Sequence, residues 1–227
     1  MKRRFLLLFL FLCVVATSSF AQKSDIYVVS VGISNYQSIS DLTLPEKDAK
    51  AIAELYKTQT KNVILITGKY ATKARILKSL KDQFSRTKEQ DMIVFAFSGH
   101  GYPGGLCPYD MSAKDGSGLS YREIRSILKQ SRAKRKMIFA DACFSGKLRD
   151  AKDKSTSSTK DIDVMLFLSS RHNEASIERP QMVNGFFTAC LLKCLKGGAD
   201  IDRNRIITAK ELYQEVSRGV KTLSNDQ

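Results

Sequence analysis

Five short stretches of this chain are built mainly from apolar residues, and helical patterns separate them. They are "DIYVVSVGI" (25–33), "NVILI" (62–66), "DMIVFAF" (91–97), "KMIFA" (136–140) and "VMLFL" (164–168). Each has the length of a strand, and the third is apolar throughout after its first residue, which predicts burial on both faces. Between the first two, "PEKDAKAIAELYK" (45–57) puts Ala49, Ile52, Ala53 and Tyr56 on one face of a helix. Residues 71–85 repeat the pattern through Ile76, Leu77, Leu80 and Phe84, and "SYREIRSILKQ" (120–130) opens on Ser120, a good N-cap. Further helices are expected at 185–197 and 208–221. Strand alternating with helix predicts an α/β fold with a mostly parallel central sheet and helices on both faces.

That architecture directs attention to the carboxyl ends of the strands, where sheets of this kind bind ligands. "SGHGYPGG" (98–105) begins as the third strand ends, and "DACFSG" (141–146) begins as the fourth ends. If those strands are neighbours, His100 and Cys143 emerge close together on one edge. A thiolate is a nucleophile, and an imidazole beside it stabilises it and later protonates a leaving amine. The small residues around both groups let a substrate main chain approach, and the N–H groups of Gly101 and Cys143 are candidate donors to an oxyanion. A histidine and a cysteine in turns are a modest signal by themselves, because free cysteines are most often simply buried.

The rest of the chain sets limits on that reading. Its 227 residues suffice for one good-sized domain. Residues 1–21 stand apart: Lys2, Arg3 and Arg4 precede the apolar run Phe5 to Val15, and Ser19-Phe20-Ala21 follows as a small-x-small cleavage site. This is the pattern of a secretory signal peptide, which predicts export to the periplasm or the outside and a mature domain over 22–227. The run is short for a membrane span, and Leu12 is bulky for the residue before a lipid-modified Cys13. The net charge of +14 raises the question of nucleic acid. The basic residues are spread along the chain, however, and their densest cluster, "KQSRAKRK" (129–136), reads as a solvated helix end, so no nucleic-acid partner is expected. Four cysteines remain after cleavage, too few for a disulfide scaffold, and Cys190 and Cys194 lie four apart on a helix as core residues. Two loops are expected, 101–118 and 147–161, the second polar and directly after the Cys143 turn.

"FAFSGHG" and "IFADACFSG" resemble the two signature blocks of the caspase-like cysteine peptidases, above all the metacaspase and bacterial caspase-like branch. The order and separation of the blocks match. "VSVGISNYQ", "LTLPEKDAKAIAELY", "VMLFLSSRHNEASIE" and "NGFFTACLLKCLKGGAD" resemble further pieces, so that the likeness runs over roughly 25–227. The resemblance implies the caspase–haemoglobinase fold, His100 and Cys143 as a catalytic dyad, and Gly101 with Cys143 in the oxyanion hole. Asp141 stands where caspases carry Gln, as in metacaspases, whose matching acids line the S1 pocket; here these are Asp48 and Asp141. Two carboxylates in a partly desolvated pocket favour Lys or Arg at P1. The implied activity is that of an exported cysteine endopeptidase acting on proteins or peptides, with self-cleavage in the 147–160 loop as related enzymes show. A non-catalytic caspase-like binding module is the other class of protein this pattern can build.

No cofactor or metal is expected. "DIDRNRIITAKE" (200–211) sets Asp200, Asp202, Asn204 and Glu211 at positions 1, 3, 5 and 12 of a calcium loop, but Arg205 occupies the position that calls for Gly. It reads instead as a polar turn into the last helix, capped by Thr208. The acidic pair that calcium-activated metacaspases carry before the helix at 120 is replaced by Ser120 and Tyr121.

Overall fold

A computed structural model describes residues 24–112, 117–142, 164–168 and 183–224. Residues 1–21, read above as a signal peptide, Cys143 and the 147–161 loop lie outside the described residues. Five parallel strands form the central sheet: β1 (Ile26–Gly32), β2 (Val63–Thr67), β3 (Met92–Ser98), β7 (Arg135–Asp141) and β8 (Val164–Leu168), in the order β2-β1-β3-β7-β8. All four pairings are parallel.

Side chains alternate along each strand between two cores. On one face Val29, Val31, Phe95, Phe97, Ile138 and Ala140 pack with α2 (Lys73–Phe84) and α3 (Tyr121–Gln130) through Ile76, Leu80, Ile124 and Leu128. On the other, Val28, Val94, Ala96, Met137 and Phe139 meet α1 (Pro45–Lys57), α4 (Phe186–Lys193) and α5 (Ala209–Ser224). This two-sided cover is why the strands carry unbroken apolar runs: a polar residue at either parity would be buried without water. The exceptions are satisfied locally, as where Ser30 donates to the Ala49 carbonyl at 2.8 Å and ties β1 to α1.

Helix ends follow the local chemistry. Ser120 forms a complete capping box with Glu123 at the start of α3. The basic cluster before β7 is largely engaged in the fold. Lys136 is buried and donates to the Leu128 and Ser131 carbonyls at the end of α3. Arg132 donates to the Thr87 carbonyl, and Lys134 pairs with Glu89 at 2.7 Å. Cys190 and Cys194 are buried, as their spacing predicts.

The stretch 101–118 differs from its expectation as a plain loop. Three two-residue strands, β4 (Gly101–Tyr102), β5 (Gly105–Leu106) and β6 (Leu119–Ser120), make a small antiparallel sheet there. Pieces this short carry no periodicity for a sequence reading to detect. The helix read at 185–197 divides into α4 and a wider turn, Cys194–Gly198.

Candidate active site

β1 leads outward to β2, and β3 leads the other way to β7, so the chain diverges at the carboxyl ends of β1 and β3 and leaves a crevice there. The register of β3 and β7 is in step, with Ser98 opposite Asp141. His100 and Cys143 each follow their paired residue by two positions. His100 is described and half-buried; the description on the β7 side ends at Ala142, which is buried.

The imidazole is held by the loop between β1 and α1. Its Nε2 lies 2.9 Å from the Ser40 carbonyl oxygen and 3.4 Å from the Ser40 hydroxyl. A carbonyl oxygen only accepts, so Nε2 carries a proton in this contact, and in the neutral imidazole the lone pair is then on Nδ1. The main-chain N–H groups near it have separate destinations. Gly99 donates to the Asp141 carbonyl at 3.1 Å, which continues the β3–β7 ladder, and His100 donates to the Tyr36 hydroxyl at 2.7 Å. In the hairpin, Cys107 donates to the His100 carbonyl, and the next pair is Gly101 with Leu106. Antiparallel pairs alternate between bonded and unbonded positions, so the Gly101 N–H faces away from β5.

Asp48 and Asp141 converge below this point. Asp48 sits in the first turn of α1, but its side chain turns from its own helix toward the N-terminus of α4. Its Oδ1 accepts from Asn184 Nδ2 at 2.8 Å and from the Gly185 N–H at 3.1 Å, and its Oδ2 accepts from Ser98 Oγ at 3.1 Å. Asp141, at the end of β7, accepts from Thr188 Oγ1 at 3.2 Å. Gly185 is where the two acids meet. A Cβ there would lie 2.8 Å from Asp141 Oδ2 and 3.2 Å from Asp48 Oδ2, so any larger residue pushes into both carboxylates. Burial drives the Asp48 carboxyl up to about 7, with the neighbouring Asp141 charge as the second cause. The three donors pull the other way. The two acids differ in access: Asp48 is 2 % exposed, whereas Asp141 is half-buried. A cavity of about 10 Å³, room for roughly one water, adjoins Asp141, Ser98, Thr188 and Ser30.

The structure therefore brings together four of the residues singled out from sequence (Asp48, His100, Gly101 and Asp141), while Cys143 lies outside the described residues. Sequence reasoning missed Tyr36, Ser40, Asn184 and Thr188. Each lies in or beside a stretch that the resemblance covers, but a hydroxyl or amide in a loop announces no partner until the fold supplies one.

The only group of three or more possible metal-ligating side chains close enough to share a metal ion, among the described residues, is elsewhere. Asp200, Asp202 and Glu211 bring carboxylate oxygens within 4.8 Å of one another in the turn before α5. All three already accept main-chain N–H groups: Asn204 donates to both Asp200 and Asp202, Arg205 to Asp200, and Thr208 to Glu211. Thr208 and Glu211 close the capping contact expected of this turn.

A family model for the caspase domain matches residues 27–227. The chain belongs to the caspase-domain family, a family of cysteine peptidases, and its class is that of a peptidase acting on protein substrates. Among solved structures it is similar to protein GSU0716 from Geobacter sulfurreducens, at 17 % identity and a TM-score of 0.64, with 86 % of this chain and 88 % of that one covered. At that identity the likeness is one of fold. No curated protein matches the chain.

Proposed function

We propose that the mature protein is an exported cysteine endopeptidase that cleaves after Lys or Arg. The observation that carries this reading is the convergence of Asp48 and Asp141 around Gly185, beside the carboxyl end of β3, whose Ser98 donates to Asp48 and which leads into His100. Cys143 attacks the scissile carbonyl, and His100 takes the thiol proton at Nδ1 and returns it to the leaving amine. The N–H groups of Gly101 and Cys143 hold the oxyanion. Support for the first is the hairpin register, which aims the Gly101 N–H away from β5. Asp141, the more accessible acid, contacts the P1 cation directly. Asp48 adds charge from behind and fixes Asn184 and Gly185 at the rim.

The test is a mixed peptide library incubated with residues 22–227, with product termini read by mass spectrometry. New carboxyl ends should be Lys or Arg, and a lysyl or arginyl chloromethylketone should label Cys143 alone. Products ending in Asp, or labelling at Cys107 or Cys190, would sink the reading.

The 147–160 segment contains Lys147, Arg149, Lys152, Lys154 and Lys160, which an enzyme of this specificity would accept as substrate. Incubated wild type should split into fragments of about 14 kDa and about 8–9 kDa, sizes taken from mean residue mass for ordinary composition. Cys143→Ala should remain whole. Equal nicking of that variant in the same preparation would show that the cut is not the protein's own.

A further inference from the structure

The β1–α1 loop is built around one buried phenol that catalysis as described above leaves without a role. Tyr36 is 9 % exposed. Its hydroxyl accepts the His100 main-chain N–H at 2.7 Å, and its ring tilts against the imidazole with centroids 5.1 Å apart. The contact is closed from the other side by Gly99, whose φ of +154° suits glycine and whose Cβ, if it had one, would lie 2.5 Å from the Tyr36 hydroxyl. Tyr36 is itself anchored. Its N–H donates to Asp41 Oδ1 at 2.9 Å, while Asp41 Oδ2 accepts from Asn35 at 3.0 Å. Those donors hold the Asp41 carboxyl below its ordinary range, so it stays ionised where the enzyme works. Gln37 donates to the Tyr109 carbonyl and Leu42 to the Ser34 carbonyl, which fastens both ends of the loop. Burial raises the phenol's pKa, so it keeps its proton.

We infer that Tyr36 is the positioning residue of His100. Its hydroxyl fixes the main chain from which the imidazole hangs. It also occupies the His100 N–H, so that of three successive N–H groups only that of Gly101 faces the substrate. This rests on the proposed catalytic role of His100 and adds to it a residue that touches neither substrate nor thiol. A shift of about 1 Å in a catalytic group costs on the order of 10²-fold in rate, and removal of the acceptor beneath His100 frees its main chain to make a shift of that size.

Tyr36→Phe removes one oxygen and keeps the ring, so the fold is retained. We expect kcat to fall by about 10- to 100-fold while KM for an arginyl substrate stays within about twofold, because the acids at Gly185 are untouched. In a Cys143→Ala background, NMR should show faster amide exchange at His100. The imidazole nitrogen spectrum, simple because the chain has only two histidines, should lose the single Nε2–H tautomer. Gly99→Ala, which displaces the hydroxyl from the opposite side, should reproduce both changes. Wild-type kcat in Tyr36→Phe, or unchanged exchange and tautomer at His100 in the folded variant, would overturn the assignment. Should the wild type cleave nothing, the proposed function falls, and the exchange and tautomer measurements still decide what Tyr36 does to His100.

Discussion

Cys143→Ala should reduce peptide hydrolysis by on the order of 10⁶-fold, to the limit of detection, and His100→Ala should do nearly the same. In a nucleophile–base unit the members fail together, so the double variant should be no slower than either single one. The Ser40 carbonyl sharpens the expectation for histidine. With Nε2–H committed to that oxygen at 2.9 Å, the other nitrogen is the expected base for the thiol proton. His100→Gln presents an amide of similar reach that cannot shuttle a proton, and should be as inactive as His100→Ala. Cys107→Ser and Cys190→Ser, both at buried positions packed in the cores, should stay within about threefold of wild type, since they alter packing and not the reacting atoms. Robust hydrolysis by purified Cys143→Ala would remove the basis of the assignment, and steady-state rates on one arginyl substrate are enough to see it.

The second large effect is on recognition of P1. Asp141→Asn should cost roughly 2–4 kcal/mol in kcat/KM for basic substrates, the range for removing one member of a desolvated charge pair, and should leave cleavage of uncharged poor substrates unchanged. Asp48 gives this pocket a pH dependence with a definite sign. Its carboxyl is raised to about 7, and a cation binds the ionised form better. Affinity for a non-reacting P1 mimic such as agmatine should therefore rise as pH increases through about 7 and level off above it. Calorimetry in the Cys143→Ala background isolates this from the thiol. The same shift runs against stability. The folded protein holds the Asp48 proton to higher pH than the unfolded chain does, so this group makes the fold less stable as pH rises from the ordinary carboxyl range to about 7. Asp48→Asn should raise Tm at pH 8 and weaken agmatine binding: its oxygen can still accept from Asn184 and Gly185, and its amide can donate toward Ser98. Affinity independent of pH between 5.5 and 8.5 in the wild type would contradict the paired-acid pocket.

How much of this was legible beforehand depends on whether one residue type carried its own partner. The parallel sheet was legible because burial on both faces forbids polar residues at either parity, and "MIVFAF" obeys that rule. The α3 start was legible because Ser120 and Glu123 satisfy each other within one turn. Asp48 and Asp141 could be singled out only through the resemblance, because they lie 93 positions apart in the chain and periodicity says nothing across such a gap. Their unequal access appeared only with the fold, which surrounds Asp48 with Ser98, Asn184 and Gly185. Arg205 shows the opposite limit. Its position calls for glycine, yet the backbone takes φ +67° there, and the Asp200 carboxylate accepting its N–H at 2.9 Å holds it in place. A local rule about a single residue yields when a neighbouring side chain supplies the missing stabilisation.

The crevice takes residues from four well-separated stretches, around 36–48, 98–101, 141 and 184–188, and the step-for-step register of β1 with β3 and β3 with β7 is what brings them into one place. Pairings between strands so far apart in sequence form late, after the entropy of closing long loops has been overcome. A chain still being made has the residue types of the candidate site but none of their geometry. On the proposed function, proteolytic power would arrive only with the finished sheet, so that the order of strand pairing itself withholds activity from a chain still being synthesised.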